Sequence, residues 1–261
     1  MIELSWFIIL LIIAVGIFVG FINTIAGSGS LITLPLLMFL GLPANVANGT
    51  NRINVLLTSL VGVASFRHQK VFKIGDNIWL ALPAIVGAII GALIAVDLNE
   101  AILERIIGVL MVVLLFTIFY KPTAWLKKYS ESHEKPFSAW QYVFMFFVGL
   151  YGGFIQISTA IFILVSLVLK SGFDLVKANA VKLFVIFSYT IFALGIYVYN
   201  QQVHFVVGLL LGVGSMLGSY IATKMAVNKG VGFIRIVLVL VVVVSAIKFL
   251  GIYDFIKDLI G

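Results

Sequence analysis

Two stretches of the chain carry residue types suited to holding an anion. In "NTIAGSGS", Asn23 and Thr24 lead into a Gly-Ser-Gly-Ser run that separates the apolar segments 4–22 and 31–40. Gly27 and Gly29 permit left-handed backbone angles and keep side chains out of the way, so successive N–H groups can converge. Ser28 and Ser30 add hydroxyl donors where the next helix starts. A helix start carries about half a positive charge and unsatisfied N–H groups, which makes it an anion site. The second stretch is "NGTNR", with Asn48, Thr50, Asn51 and Arg52. Arg52 falls nine residues beyond Pro43, roughly 12 Å deep if the segment is helical. An intramembrane cation costs at least about 2.5–3.5 kcal/mol and usually faces the bundle interior. No Asp or Glu stands nearby to neutralise it, so it calls for an anion from outside the chain.

The elements that must position these residues are membrane helices. The 261 residues are 62% hydrophobic and 10% charged, against roughly 45–50% and 25% in a soluble domain. Windows at 78–96, 102–120, 140–157, 203–222 and 231–250 approach or reach the approximately 20 apolar residues that cross a hydrocarbon core. They are continuous rather than alternating, which excludes a β-barrel. The first segment lacks the basic start and cleavage signature of a signal peptide and is expected to remain in the mature protein. Residues 31–40 give only about ten helical residues, or roughly 15 Å, half a core. Segments 5–40 are therefore expected to form a hairpin that dips to mid-membrane and returns. Non-helical backbone at that depth must be buried in protein or line a watery cavity.

Internal symmetry extends the pattern. "FVGFINTIAGSGS" at Phe18 reappears faintly as "FVGLYGGFIQIST" at Phe147, and "VANGTNRINVLL" at Val46 as "VKANAVKLFVIF" at Val176. "PAIVGAIIGALIA" at Pro83 matches "LGVGSMLGSYIAT" at Leu211, and "LNEAILERIIGVL" at Leu98 resembles "VNKGVGFIRIVLV" at Val227. Four matches in order, offset by about 130 residues, indicate a duplicated fold. They place Gln156, Ser158 and Thr159 opposite the first glycine-serine run, and Asn179 and Lys182 opposite the second polar stretch. The expected architecture is an all-α polytopic membrane protein of two inverted repeats. Each repeat has a broken helical hairpin followed by three transmembrane helices, giving about eight spans plus two hairpins, or ten spans. Residues 1–120 make the first repeat, 121–137 a cytoplasmic linker and 138–261 the second.

Loop charge sets the expected orientation. Arg67, Lys70 and Lys73, the lysines of the linker, and Lys170, Lys177, Lys224 and Lys229 mark the cytoplasmic side. Asp97, Glu100 and Glu104 mark the other, with both termini outside. That placement accounts for the net charge of +7 without nucleic acid. Absence of cysteine excludes disulfides and thiolate metal sites, and His68, His133 and His204 lie too far apart in sequence to suggest a shared metal. No cofactor is expected. An intramembrane enzyme would need a nucleophile with its base, and Ser158 and Thr159 have neither His nor Asp in their segment.

Blander readings exist for each residue alone. Arg52 or Lys182 could snorkel to a headgroup, and the asparagines could bond helices together. The pairs Gly16/Gly20, Gly87/Gly91, Gly208/Gly212 and Gly214/Gly218 read as packing surfaces. The recurrence of the polar set in two copies favours a substrate site over a purely structural subunit.

The run 23–52, "NTIAGSGSLITLPLLMFLGLPANVANGTNR", followed by "GVASFR" at Gly62, resembles the signature of the sulfite exporter TauE/SafE family of membrane permeases. The resemblance implies a bacterial cytoplasmic-membrane transporter for a small sulfur-containing anion such as sulfite or sulfoacetate, working in a lipid bilayer and leaving room for a homo-oligomer. The residues alone imply a small anion, carried by alternating access or passed through a passive channel.

Overall fold

A computed structural model of the chain describes residues 5–71, 73, 75–119 and 135–249, with side chains at all of these except 76, 111–119 and 230–249. Apart from 135–137, the expected linker lies outside the described residues, as does His133. Among the described residues every regular element is helical. Ser5 caps α1 (Trp6–Ile25) by accepting from the Ile8 N–H. After the break at 26–29 come α2 (Ser30–Phe39) and α3 (Ala44–His68), the latter entered through Pro43. Pro suits a helix start because it lacks only an N–H that would be unpaired there. Next are α4 (Ile78–Val96) and α5 (Glu100–Phe119). A capping box of Ser138 and Gln141 opens α6 (Ala139–Phe154), followed by α7 (Thr159–Leu169). Asp174 caps α8 (Leu175–Tyr199), and α9 (Phe205–Phe249) closes the described chain.

Trp6–Ile25, Ile78–Val96, Leu175–Tyr199 and Phe205–Lys229 are long and apolar enough to cross a membrane, while α2 and α7 are shorter apolar helices. The all-helical membrane class is thus met. Where two spans were expected at 203–222 and 231–250, the backbone runs as one helix through Phe249. No proline interrupts that stretch, and Gly230 and Gly232 each cost only about 1 kcal/mol in a helix.

Close contacts fix the helix directions. Gly16 and Gly20 of α1 press on Leu211 and Ser215 of α9, and Gly214 and Gly218 press back on Ile13 and Ile17. Numbers rise together on both partners, so α1 and α9 are parallel. Between α4 and α6 the arrangement recurs, with Gly87 and Gly91 on Phe146 and Leu150, and Gly149 and Gly153 on Ala84 and Ala88. At all eight glycines a β-carbon would overlap a backbone carbonyl of the facing helix. The packing reading of these glycines is correct. In contrast, α3 and α8 are antiparallel, with Gly49 beside Tyr197 and Gly62 beside Leu183.

The chain also reverses after α6. Gln141, in the first turn of α6, donates to Ser171 just past α7 (2.7 Å), and the Phe137 and Phe173 rings meet edge to face. Hence α6 and α7 form an arm that goes in and comes back. Likewise Ile12 of α1 shares one apolar cluster with Leu34 and Leu37 of α2 and with Leu42 beyond it.

Candidate functional site

The tips of the two arms meet in the interior. At the first, Gly27 takes φ 75°, and at the second, Gln156 takes φ 66° and Ser158 φ 56°. Gln156 aligns with Gly27 in the duplicated sequence, so the second copy keeps the left-handed turn without the glycine. Left-handed angles at non-glycine residues cost of order 1–3 kcal/mol and persist only where surrounding structure enforces them. Each tip leads directly into a helix start, at Ser30 for α2 and at Thr159 for α7. Neither start has a side-chain cap; the Leu31 and Ile32 N–H groups of α2 bond to Ser28 O and Gly29 O, and the Ile161 N–H of α7 bonds to Ser158 O. The hydroxyls of Ser158 and Thr159 are buried without a partner.

Between the tips lies a cavity of about 10 Å³ lined by Asn23, Gly27, Ser30, Gln156, Thr159 and Tyr189, with Val55, Ala160 and Ile186 supplying apolar wall. That is room for about one water. An oxyanion needs several times as much.

Arg52 and Lys182 are both fully buried, and each donates to backbone carbonyls of the opposite half. The two terminal nitrogens of Arg52 donate to Gly152 O and Gly153 O, each at 2.7 Å, at the end of α6. Its guanidinium carbon lies 4.7 Å from the centre of the Tyr197 ring. Asn48 and the Tyr197 hydroxyl both donate to the next carbonyl, Phe154 O, at 2.8 and 3.0 Å. Lys182 donates to Thr24 O at the end of α1 (2.7 Å) and to Asn179 Oδ1 (2.6 Å), with a longer bond to Asn23 O (3.4 Å). A helix end carries about half a negative charge, and a cation there gains up to about 2 kcal/mol in partly buried geometry. Each cation therefore cancels the negative end of one helix at a tip, and the positive start of the following helix is left unopposed. The call for an anion outside the chain is met in part from within it.

The remaining expected residues divide between lining and scaffolding. Asn51 accepts from Thr33 (2.6 Å) and donates to Ser30 (3.2 Å), which pins the start of α2 to α3. Thr50 accepts from the His204 N–H, and the Thr24 hydroxyl donates to Ser219, both at 2.8 Å and both as inter-element fastenings. Ser28 and Gly29 are buried in the turn itself. Five of the fifteen expected residues (Asn23, Gly27, Ser30, Gln156 and Thr159) border the cavity. Sequence reasoning missed Tyr189 and Tyr197. Their spacing was the available signal, since Tyr189 stands two helical turns past Lys182 on one face of α8, and Tyr197 two further turns along.

Comparison with known proteins supplies the setting for this site. The chain is 28% identical to a probable membrane transporter protein, ORF9, of Sinorhizobium sp, over 95% of each chain. It is 28% identical to the probable membrane transporter protein YfcA of Escherichia coli K12, over 92% of this chain and 88% of the relative. With a probable membrane transporter protein of Haemophilus influenzae it shares 26% over 86% and 88% respectively. No solved structure matches it. The family model described as sulfite exporter TauE/SafE matches residues 12–249, and with its polar tips set among apolar helices the chain belongs to that family of membrane transporters.

Proposed function

We propose that the protein carries a small sulfur-containing anion, sulfite or an organosulfonate, outward across the bacterial cytoplasmic membrane by alternating access between two inverted repeats. The observation that carries this reading is the reciprocal capping by Arg52 and Lys182. It leaves two helix starts at one small cavity, with Ser30 of α2 and Thr159 of α7 in its wall. The site on this reading comprises the two tips (Asn23, Thr24, Gly27, Ser28, Gly29, Ser30, Gln156, Ser158 and Thr159), with Asn48, Thr50, Asn51, Arg52, Asn179 and Lys182 holding and charging them.

Helix pairing supports the inverted repeats at 1–120 and 138–261. The parallel pairs α1/α9 and α4/α6 exchange under a swap of α1 with α6 and α4 with α9, while α3 and α8 meet antiparallel. With α1 parallel to α9, a rocking of one half against the other opens the cavity to alternate sides. With the inside negative, each negative charge moved outward gains about 2.3 kcal/mol per 100 mV, so export needs no partner ion.

The test is a thermal-shift panel of sulfite, sulfate, thiosulfate, sulfoacetate and small carboxylates on the purified protein. A true ligand at about 100 times its dissociation constant adds about 2.7 kcal/mol. For a chain of this size that is a shift of roughly 5–10 °C. Saturable counterflow of the same anion in proteoliposomes completes the expectation. If no sulfur anion stabilises the protein, the reading is wrong.

A further inference from the structure

The two tips are built differently, and the difference singles out Tyr151. In the first, only Gly27 is left-handed, and Gly29 lies in the helical region at φ −57°. In the second, Gln156 and Ser158 are both left-handed with Ile157 between them, and neither is the residue type that adopts such angles at no steric cost. Two backbone bonds are common to the tips: Ile22 O accepts from the Ala26 and Gly27 N–H groups, and Tyr151 O from those of Ile155 and Gln156. Ile22 and Tyr151 align in the duplicated sequence. Where the first copy has an apolar side chain the second has a hydroxyl, and Tyr151 Oη donates to Ile157 O at 2.8 Å.

Tyr151 thus holds three consecutive residues, 155 and 156 through its backbone and 157 through its side chain. Its ring is half-buried and meets Phe162 of α7 edge to face, 5.9 Å between centres. A trans peptide is planar with C=O and N–H on opposite sides, so the Ile157 carbonyl turned to Tyr151 sends the Ser158 N–H the other way. That one peptide sets where α7 begins. Ile161 bonds back to Ser158 O at 2.9 Å, and Thr159 and Ala160 form part of the cavity wall. Ala160 also bears on the first tip, since a β-carbon on Gly27 would overlap Ala160 Cβ. Without the hydroxyl, the carbonyl of the fully buried Ile157 loses its donor, and two strained residues lose what enforces them.

We propose that Tyr151 is the positioning residue of the second tip. Its hydroxyl enforces the double left-handed turn and so keeps the start of α7 at the cavity, where the first copy relies on glycine. It acts through Ile157 and Ser158 rather than on the substrate. This rests on the anion-carrier reading and names what holds half of that site in shape, whichever anion is carried.

The experiment compares the purified parent with Tyr151→Phe, which keeps the ring and its contact with Phe162. Two quantities are read: equilibrium binding of sulfite and of sulfoacetate, and amide hydrogen exchange at 156–161 against 30–33. Tyr151→Phe should weaken binding about 5- to 50-fold, the scale of leaving one buried acceptor unpaired. Exchange at 156–161 should quicken about tenfold while 30–33 keeps its rate. Gln156→Gly, which places the first copy's residue at that position, supplies a second background. There the hydroxyl has less strain to hold, and adding Tyr151→Phe should cost no more than about threefold. Unchanged binding in Tyr151→Phe, exchange that rises equally at both tips, or the same loss in both backgrounds overturns the positioning role while anion carriage stands. Should Tyr151→Phe alone not fold, the glycine background decides, and a loss above about tenfold there overturns the role. Failure of the parent to bind either anion removes the carrier reading and this role together.

Discussion

Burying a guanidinium at mid-depth costs at least about 2.5–3.5 kcal/mol, and at Arg52 the offset comes from two carbonyls at the end of α6 rather than from a carboxylate. On the carrier reading that choice of partner keeps the tip free for the substrate, because a carboxylate would have brought negative charge to the place proposed for the anion. Strain at the second tip has the same character. Ser158 holds φ 56° at the start of α7 with its hydroxyl unpaired, a conformation glycine adopts at no steric cost. Ser158→Gly should therefore raise stability by about 1 kcal/mol, or about 2–4 °C in thermal unfolding. On the carrier reading the same change removes one donor to the anion and should weaken binding about three- to tenfold. A variant that gains stability and binds its anion as well as the parent would show Ser158 to be a backbone accident rather than a ligand.

At the scale of elements, the interhelical glycines and the broken arms have different legibility. The small-residue spacing of Gly87 and Gly91, and of Gly214 and Gly218, is visible in the sequence, and in the structure these residues sit under facing backbone carbonyls. Because backbone cannot move aside cheaply, Gly91→Ala and Gly218→Ala should each destabilise by about 1–3 kcal/mol. Gly108 and Gly195, with nothing within 4 Å of a β-carbon, should gain about 0.5–1 kcal/mol on the same substitution. Thermal unfolding in detergent separates the two classes; equal effects would mean that α4/α6 and α1/α9 do not pack as closely as described. The first arm was readable because a glycine-serine run interrupts continuous apolar sequence and leaves too few residues to span. The second was half readable, since Gln156 adopts a left-handed angle that nothing in its side chain advertises. The carbonyl partners of Arg52 and Lys182 were not readable, because a carbonyl carries no residue code, whereas Asn179, one turn before Lys182, was. Tyr189, among the Phe and Ile of α8, had only its spacing from Lys182 as a signal, and its contact with Gln156 is what ties it to the second tip.

For the molecule as a whole, charge and topology give one testable arrangement. Arg67 lies in the last turn of α3, Lys70 and Lys73 follow its end, and the Ser65–Thr223 hydrogen bond brings the Lys224 region of α9 beside them. Lys135 bonds Ser171 through the backbone, next to Lys170, and Val71 joins the apolar cluster that holds Phe137 and Phe173. All these cations thus gather at one end of the bundle. At the opposite end Gln202, just beyond α8, donates to Val96 O at the end of α4 (2.9 Å), beside Asp97 and ahead of Glu100 and Glu104. By the positive-inside rule the first end is expected on the cytoplasmic side. His68 ends α3 and Asn200 follows the end of α8, both exposed, and the antiparallel meeting of those helices puts them at opposite ends. In this cysteine-free chain, His68→Cys and Lys170→Cys should react with an impermeant thiol reagent only after the inner face is opened. Asn99→Cys and Asn200→Cys should react in intact cells. Reaction of His68→Cys and Asn200→Cys from one and the same side would rule out inverted repeats and, with them, the rocking of two halves about a shared site. Reversal of all four together would keep the repeats and turn the protein over, so that the membrane potential would oppose anion export and favour uptake.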